Sequence, residues 1–169
     1  MRQIKINSTT GSEIVTLQEF KDYARIDTSS DDTLIADIIK QARIWCENYI
    51  SRDIVAKNRS YYMDNTNGIF DLPFSPVASI SSITADGSSV GHTVIGLDNE
   101  SIELNNGAAE KVTVVYITAG LDDSLLKQAI LQLCSTYYDN RADFKVGAAV
   151  SDIPTSTRDI LSSYKSMFV

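Results

Sequence analysis

DDTLIADIIKQARIWCENYI, residues 31–50, decides how the chain can fold. Ile35, Ile38, Ala42, Trp45 and Tyr49 recur at alternating spacings of three and four, so they line one face of an α-helix, and Leu34, Ile39 and Cys46 widen that face. Asp37, Lys40, Arg43 and Glu47 fall on the opposite face, where the pattern predicts solvent. Fixing the backbone of such a segment costs more entropy than one stripe of buried side chains returns. The helix therefore needs partners along most of its length of about 30 Å.

A mate lies near the other end of the chain. Leu126, Ala129, Ile130, Leu133, Cys134 and Tyr137 form a second long apolar stripe, and Asp122, Asp123 and Ser124 before it favour the positive end of a helix dipole. Thr16 and Glu19 have the spacing of a capping box, which starts a short helix with Leu17, Phe20, Tyr23 and Ala24 inward. A polar turn at 27–30 leads from it into the long helix, so two antiparallel helices are expected. A last helix after Pro154 aligns Ile160, Leu161, Tyr164 and Phe168.

Between residues 55 and 118 the period changes from helical to extended. Residues 59–63, 69–72, 77–83, 92–95, 101–104 and 111–118 read as strands, with turns at Asn67-Gly68, Asp86-Gly87 and Asn106-Gly107. Pro73 and Pro76 interrupt the pairing, and the alternation slips at Ser81-Ser82, which predicts a bulge or bend. The first dozen residues are polar, with Ile4 and Ile6 alternating, and read as a frayed arm or a short edge strand. The expected fold is α+β. An antiparallel bundle of about four helices, 15–52 and 120–169, carries an inserted small antiparallel β lobe at about 55–118, all in a single domain spanning 1–169.

The net charge of -7 and pI near 4.6, with no cluster of more than two basic residues, argue against a surface that grips phosphates. No apolar run approaches the length of a bilayer span, and the start MRQIKINSTTG has no apolar core of a secretory signal, so cytoplasmic synthesis is the default. Cys46 and Cys134 each fall on an apolar helix face; a disulfide is compatible with the sequence, and buried free thiols are the preferred reading. His92 has no metal-ligand neighbours at a suitable spacing, and Asp31-Asp32 and Asp122-Asp123 are explained as helix starts. No phosphate-binding glycine loop and no nucleophile setting occurs, so no catalytic residue, cofactor or metal site is expected. The apolar stretch Phe144–Val150 and the apolar final residues are the remaining candidates, as ordinary packed connections or as segments that order on a partner.

Taken in order, VTLQEFKDYARID at 15–27, DDTLIADIIKQARIWCENYISRDI at 31–54, LPFSPVASISSI at 72–83, VTVVYITAGL at 112–121, YYDNR at 137–141 and PTSTRDILSSYK at 154–165 resemble the head-tail connector (adaptor) proteins of long-tailed bacteriophages and prophages, in the branch with a β insertion. The motifs cover nearly the whole chain; each is weak alone, and their order carries the resemblance. The closing segment departs from the family pattern at Ile160-Leu161, and the N-terminal arm is longer than the motif requires. The resemblance implies a structural virion protein of the neck, made in a bacterial cytoplasm and not an enzyme. It implies a ring, commonly of twelve subunits, between the portal protein and a stopper or tail-completion protein, with DNA passing through without sequence-specific binding and no membrane involved. Tyr164, Met167, Phe168 and Val169 are then the expected portal-docking residues, and Arg43, Glu47, Phe144 and Val146 the expected subunit contacts. The competing expectation is a small cytoplasmic, non-enzymatic binding module that uses the β lobe.

Overall fold

The computed structural model describes residues 1–140 and 155–165. In chain order the elements are β1 (Arg2–Thr9), α1 (Leu17–Ala24), α2 (Asp32–Ile50), β2 (Lys57–Thr66), β3 (Ile69–Asp71), β4 (Val77–Ala85), β5 (Ser88–Ser89), β6 (His92–Ile95), β7 (Ser101–Leu104), β8 (Ala109–Thr118), α3 (Ser124–Asp139) and α4 (Thr155–Ser162). They divide between two compact units. Met1–Ser12 joins Arg52–Leu121 in one, and Glu13–Ser51 joins the chain from Asp122 onward in the other.

The first unit is a pair of antiparallel sheets, ordered β1-β2-β8-β4-β5 and β3-β7-β6. Strict alternation along β2 and β8 turns Tyr61, Met63, Val112, Val114 and Tyr116 inward. The register sets Met63 beside Val112 and Tyr61 beside Val114, so the large side chains meet as cross-strand pairs. Phe70 from β3 and Ile102 and Leu104 from β7 complete one core shared by both sheets. Tyr116 also donates its hydroxyl to the Pro73 carbonyl at 2.6 Å. The slip read at Ser81-Ser82 is present as a register shift between Ile80 and Ser82, and a second shift lies between Val77 and Ser79. Asp86 and Gly87 both have positive φ and close β4 onto β5 in a two-residue loop, the conformation that asparagine, aspartate and glycine favour. The N-terminal segment is an eight-residue edge strand along β2 with every residue exposed.

The second unit is helical. Thr16 and Glu19 form the capping box that the sequence predicts: the Glu19 amide donates to Thr16 Oγ1 at 3.2 Å and Glu19 Oε2 accepts from the Thr16 amide at 2.7 Å. α2 packs on α3 and α3 on α4. Ile35, Ile38, Ile39, Ala42, Cys46 and Ile50 are the buried apolar positions of α2, and Leu126, Ala129, Ile130, Leu133 and Cys134 are those of α3. Phe20 meets the edge of Tyr138 at 6.1 Å, and the Tyr138 hydroxyl donates to Asp31 at 2.7 Å.

The expectation of a helical bundle with a small β insertion is corrected. Among the described residues, four helices and eight strands occupy about equal lengths of chain, and the fold is sheet-rich, with two antiparallel sheets around their own core. Two causes account for the difference. α1 and α4 have eight residues each, too short to serve as full members of a bundle, and β1 adds a long strand that belongs with residues 52–121 despite its distance in sequence.

Glu19 ties α1 to α3 through Lys127 Nζ at 2.8 Å. That ammonium, with hydrogen bonds from the Thr16 amide and hydroxyl, lowers the Glu19 carboxyl to about 2. A folded-state value below the unfolded one, about 4.3, means that the contribution is complete above the unfolded value and lost as pH falls toward the folded one. The expected outcome is that Glu19→Gln flattens the dependence of the melting temperature on pH between about 4 and 2. Thermal melts of both proteins across that window check it.

Candidate interaction surfaces

Helix α2 presents two different sides, and neither is what periodicity alone predicts. Arg43 and Glu47, expected on the solvated face, are 3% and 4% exposed. Arg43 lies between two carboxylates: Nε and Nη2 donate to Glu13 at 2.9–3.2 Å, and Nη1 donates to Glu47 Oε2 at 2.7 Å. The guanidinium fork serves both at once, the geometry for which arginine is suited and lysine is not. Glu13, three residues before the α1 cap, keeps about a third of its side chain in solvent. The reading of Arg43 and Glu47 as solvated surface is therefore corrected; a one-turn spacing of opposite charges buries when a third charge comes from elsewhere in the chain.

The outward side of α2 carries exposed apolar residues. Leu34 and Ile44 are 37% and 40% exposed, and Trp45 is half-buried and stacks on Tyr49 with ring centroids 5.3 Å apart. With Tyr137 of α3 and Asn140 just beyond it, Leu34, Ile44 and Trp45 line an open groove of about 570 Å³. The sequence stripe counts Trp45 and Tyr49 as core, yet both are only half-buried.

α4 is held to α3 by specific contacts. Leu161 is fully buried, and the Ser156 and Thr157 hydroxyls each donate to Gln132 Oε1 at 3.3 Å. Tyr164 donates its hydroxyl at 2.6 Å to Asp123 Oδ1, the same carboxylate that caps α3 by accepting from the Leu125 amide. That bond pushes the Tyr164 phenol up to about 12. Lys165 sets its ammonium 5.2 Å from the centre of the Tyr49 ring. Of the expected portal-docking residues, Tyr164 is thus engaged within its own unit, whereas Met167, Phe168 and Val169 lie outside the described residues, as do Phe144 and Val146.

A buried charge cluster in the sheet unit escapes the sequence reading. Asp53, 0% exposed, accepts from Lys57 Nζ at 2.9 Å, from Arg59 Nε and Nη2 at 2.7 and 2.6 Å, and from the Thr118 hydroxyl at 2.8 Å. Arg59 also lies over the Phe74 ring at 3.7 Å. Burial alone would raise the Asp53 carboxyl, and the bonds from Arg59 and Lys57 outweigh it and hold the group below the usual carboxylate range. Such a cluster fixes geometry; nothing about it presents a reacting group to a substrate. Cys46 and Cys134 are free and buried, with thiols pushed up to about 12 chiefly by desolvation, which removes them as nucleophiles. Among the described residues there is no cluster of His, Cys, Asp and Glu fit to hold a metal and no helix long and apolar enough to cross a membrane.

The family model described as "Head completion protein" matches residues 13–167. The structure of the neck of an empty GTA particle computed with C6 symmetry superposes with a TM-score of 0.77 at 17% identity, covering 99% of this chain and 97% of that one. The neck of a native GTA particle computed with C12 symmetry gives 0.76 at 16% identity, covering 99% and 97%. The virion of a native gene transfer agent particle gives 0.75 at 17%, covering 98% and 96%. Among curated proteins none matches the chain.

Proposed function

The chain belongs to the head completion protein family, and on that premise we propose that it is a structural connector between head and tail whose copies close into a ring, twelve in number, beneath the portal protein. The match over residues 13–167 carries the reading, because it takes in the helical unit and most of the sheet unit together. The C6 and C12 symmetry of the neck structures that share this fold supports a closed ring. A ring closed by rotation needs two different, complementary surfaces on each copy. Residues 1–169 act as one connector in this reading, with a stopper or tail-completion protein on the far side. The net charge of -7 favours a lumen that repels phosphates and lets a duplex slide. No catalysis is part of the proposal.

Portal docking is assigned to the end of the sequence, Tyr164 with Met167, Phe168 and Val169. The subunit contact is assigned to Phe144 and Val146 and to the Arg43-Glu47 pair, which acts by holding the partly exposed Glu13 in place. Mixing the purified chain with a cognate portal and imaging the product tests the ring: a twelvefold ring is expected. Deleting Tyr164–Val169 is expected to abolish that co-assembly while circular dichroism still reports a folded chain. Undiminished co-assembly by the truncated chain would overturn the docking assignment.

A further inference from the structure

We propose that β1 of one copy pairs antiparallel with β6 of the next, so that neighbouring copies join through two sheet edges that each copy leaves open. The proposal rests on the ring reading for taking a second copy as the partner, and it supplies the head-to-tail contact that such a ring needs. A sheet edge is a row of unpaired amides and carbonyls that accepts a further strand unless it is short, bulged or covered. Only β2 lies beside β1, and only β7 beside β6. The remaining edges are blunted: β3 has three residues, β5 has two, and β4 is broken by two register shifts. By contrast, the register along β1 is unbroken from Arg2 to Ile6, and along β6 from His92 to Ile95.

The side chains select this pair of edges and its register. Ile4 is paired with Tyr61 and Val94 with Ile102, both buried, so Ile4 and Val94 have the parity of the core side of their sheets. Each is nevertheless 39% exposed, because its sheet ends there. Setting Ile4 opposite Val94 continues the core side of one copy into that of the next, whereas a slip of one residue turns one of the two outward. In the antiparallel sense Lys5 then faces Thr93, and Thr93 is itself paired with Glu103 of β7. Lys5 and Glu103 stand two strand spacings apart, about 9–10 Å, a gap that their two long side chains close over Thr93. Arg2 faces Gly96, where the Glu100 carboxylate lies so close that a Cβ would collide with it. A parallel pairing with the same Ile4-Val94 match moves Lys5 to Ile95 and Arg2 to His92, away from both carboxylates. β1 carries two cations and no anion. Arg2, Lys5 and Glu103 are exposed and form no ion pair among the described residues.

Disulfide trapping between full-length chains tests the pairing. Ile4→Cys and Val94→Cys chains are mixed and mildly oxidised, with and without a cognate portal; the native thiols Cys46 and Cys134 are buried. Gln3→Cys with Val94→Val unchanged and Ile95→Cys in the second chain gives the adjacent pair, since opposed positions alternate between close and wide spacing. Circular dichroism checks that each variant is folded. A disulfide joining one chain of each kind is expected in at least one of the two mixtures, identified by mass spectrometry of the linked peptides. Lys5→Glu in the first chain or Glu103→Lys in the second is expected to lower its yield severalfold, and the two together to restore it. No mixed disulfide in either mixture, with or without portal, would overturn the proposal, as would Ile4→Cys chains linking only to one another or charge reversals that leave the yield unchanged. A twelvefold ring without the disulfide would leave the ring reading standing and remove this contact. The disulfide without a ring would keep the contact and remove the ring.

Discussion

Asp53→Asn is expected to destabilise the protein by about 3–5 kcal/mol, because removing the anion from a buried ionic cluster leaves the desolvation of its cations without compensation. Lys57 and Arg59 are 3% and 4% exposed, and each donates to Asp53 through a charge-assisted hydrogen bond. Asparagine keeps the shape and one acceptor but removes the charge that offsets the desolvation of two cations. The loss is large beside the total stability of a typical domain, about 5–15 kcal/mol. With urea slopes near 1–3 kcal/mol/M, the unfolding midpoint should fall by about 1 M or more. Asp53→Leu with Lys57→Met and Arg59→Met is expected to recover most of it, since apolar residues of similar volume replace a buried ionic cluster at little or no cost. Thr118→Val, which removes one hydroxyl from the same carboxylate, should cost about 1–3 kcal/mol. The pH dependence has a defined sign. Asp53 is held below the carboxylate range, so its contribution is complete above its unfolded value near 3.9 and lost as pH falls through the lower folded value. A change under about 1 kcal/mol for Asp53→Asn would mean that water reaches the cluster, and the account of a dry ionic core would fail.

Much of this was legible in the residues, and what was missed has identifiable causes. The capping box at Thr16 and Glu19, the cap at Asp123, the bulge at Ser81-Ser82 and the turn at Asp86-Gly87 rest on neighbours in sequence, and each is present. The balance between sheet and helix was not local. β1 pairs with β2, and β2 with β8, across dozens of residues, and short alternating strands give a weaker periodic signal than a twenty-residue apolar stripe. The Asp53 cluster did leave a trace: Lys57 and Arg59 share the strand parity of Tyr61 and Met63, so a strand turning those two inward takes both cations with it and requires a carboxylate nearby. Arg43 and Glu47 left none, because periodicity scores every charge as exposed and cannot see Glu13 approach from thirty residues away. The outer groove was obscured for the converse reason: an apolar residue scores as buried, and Trp45 is only half-buried.

Arg43→Ala is expected to destabilise the helical unit by about 3–5 kcal/mol. Its guanidinium is the shared cation of Glu13 and Glu47, so alanine removes four charge-assisted hydrogen bonds and takes that charge away from Glu47, which is 4% exposed. Glu47→Ala should cost less, about 1–3 kcal/mol, because Arg43 keeps its bidentate partner Glu13, which reaches solvent. The two losses should not add. Arg43→Ala/Glu47→Ala is expected to fall well short of the sum of the single effects, with a coupling of about 0.5–3 kcal/mol measured as a double-mutant cycle of denaturant unfolding. Arg43→Lys separates charge from shape: an ammonium cannot span both carboxylates, so about half the loss or more should persist if the fork is what matters. Additive losses would show that the two side chains act independently and would remove the basis for treating them as one device. The same measurements bear on assembly. A variant that fails to form a ring because its subunit is unfolded says nothing about contacts between copies, so ring formation by Arg43 and Glu47 variants is informative only where unfolding shows the subunit intact. Under that condition, Glu13→Gln, a change at the partly exposed member of the group, separates a role at the subunit boundary from a role inside the fold.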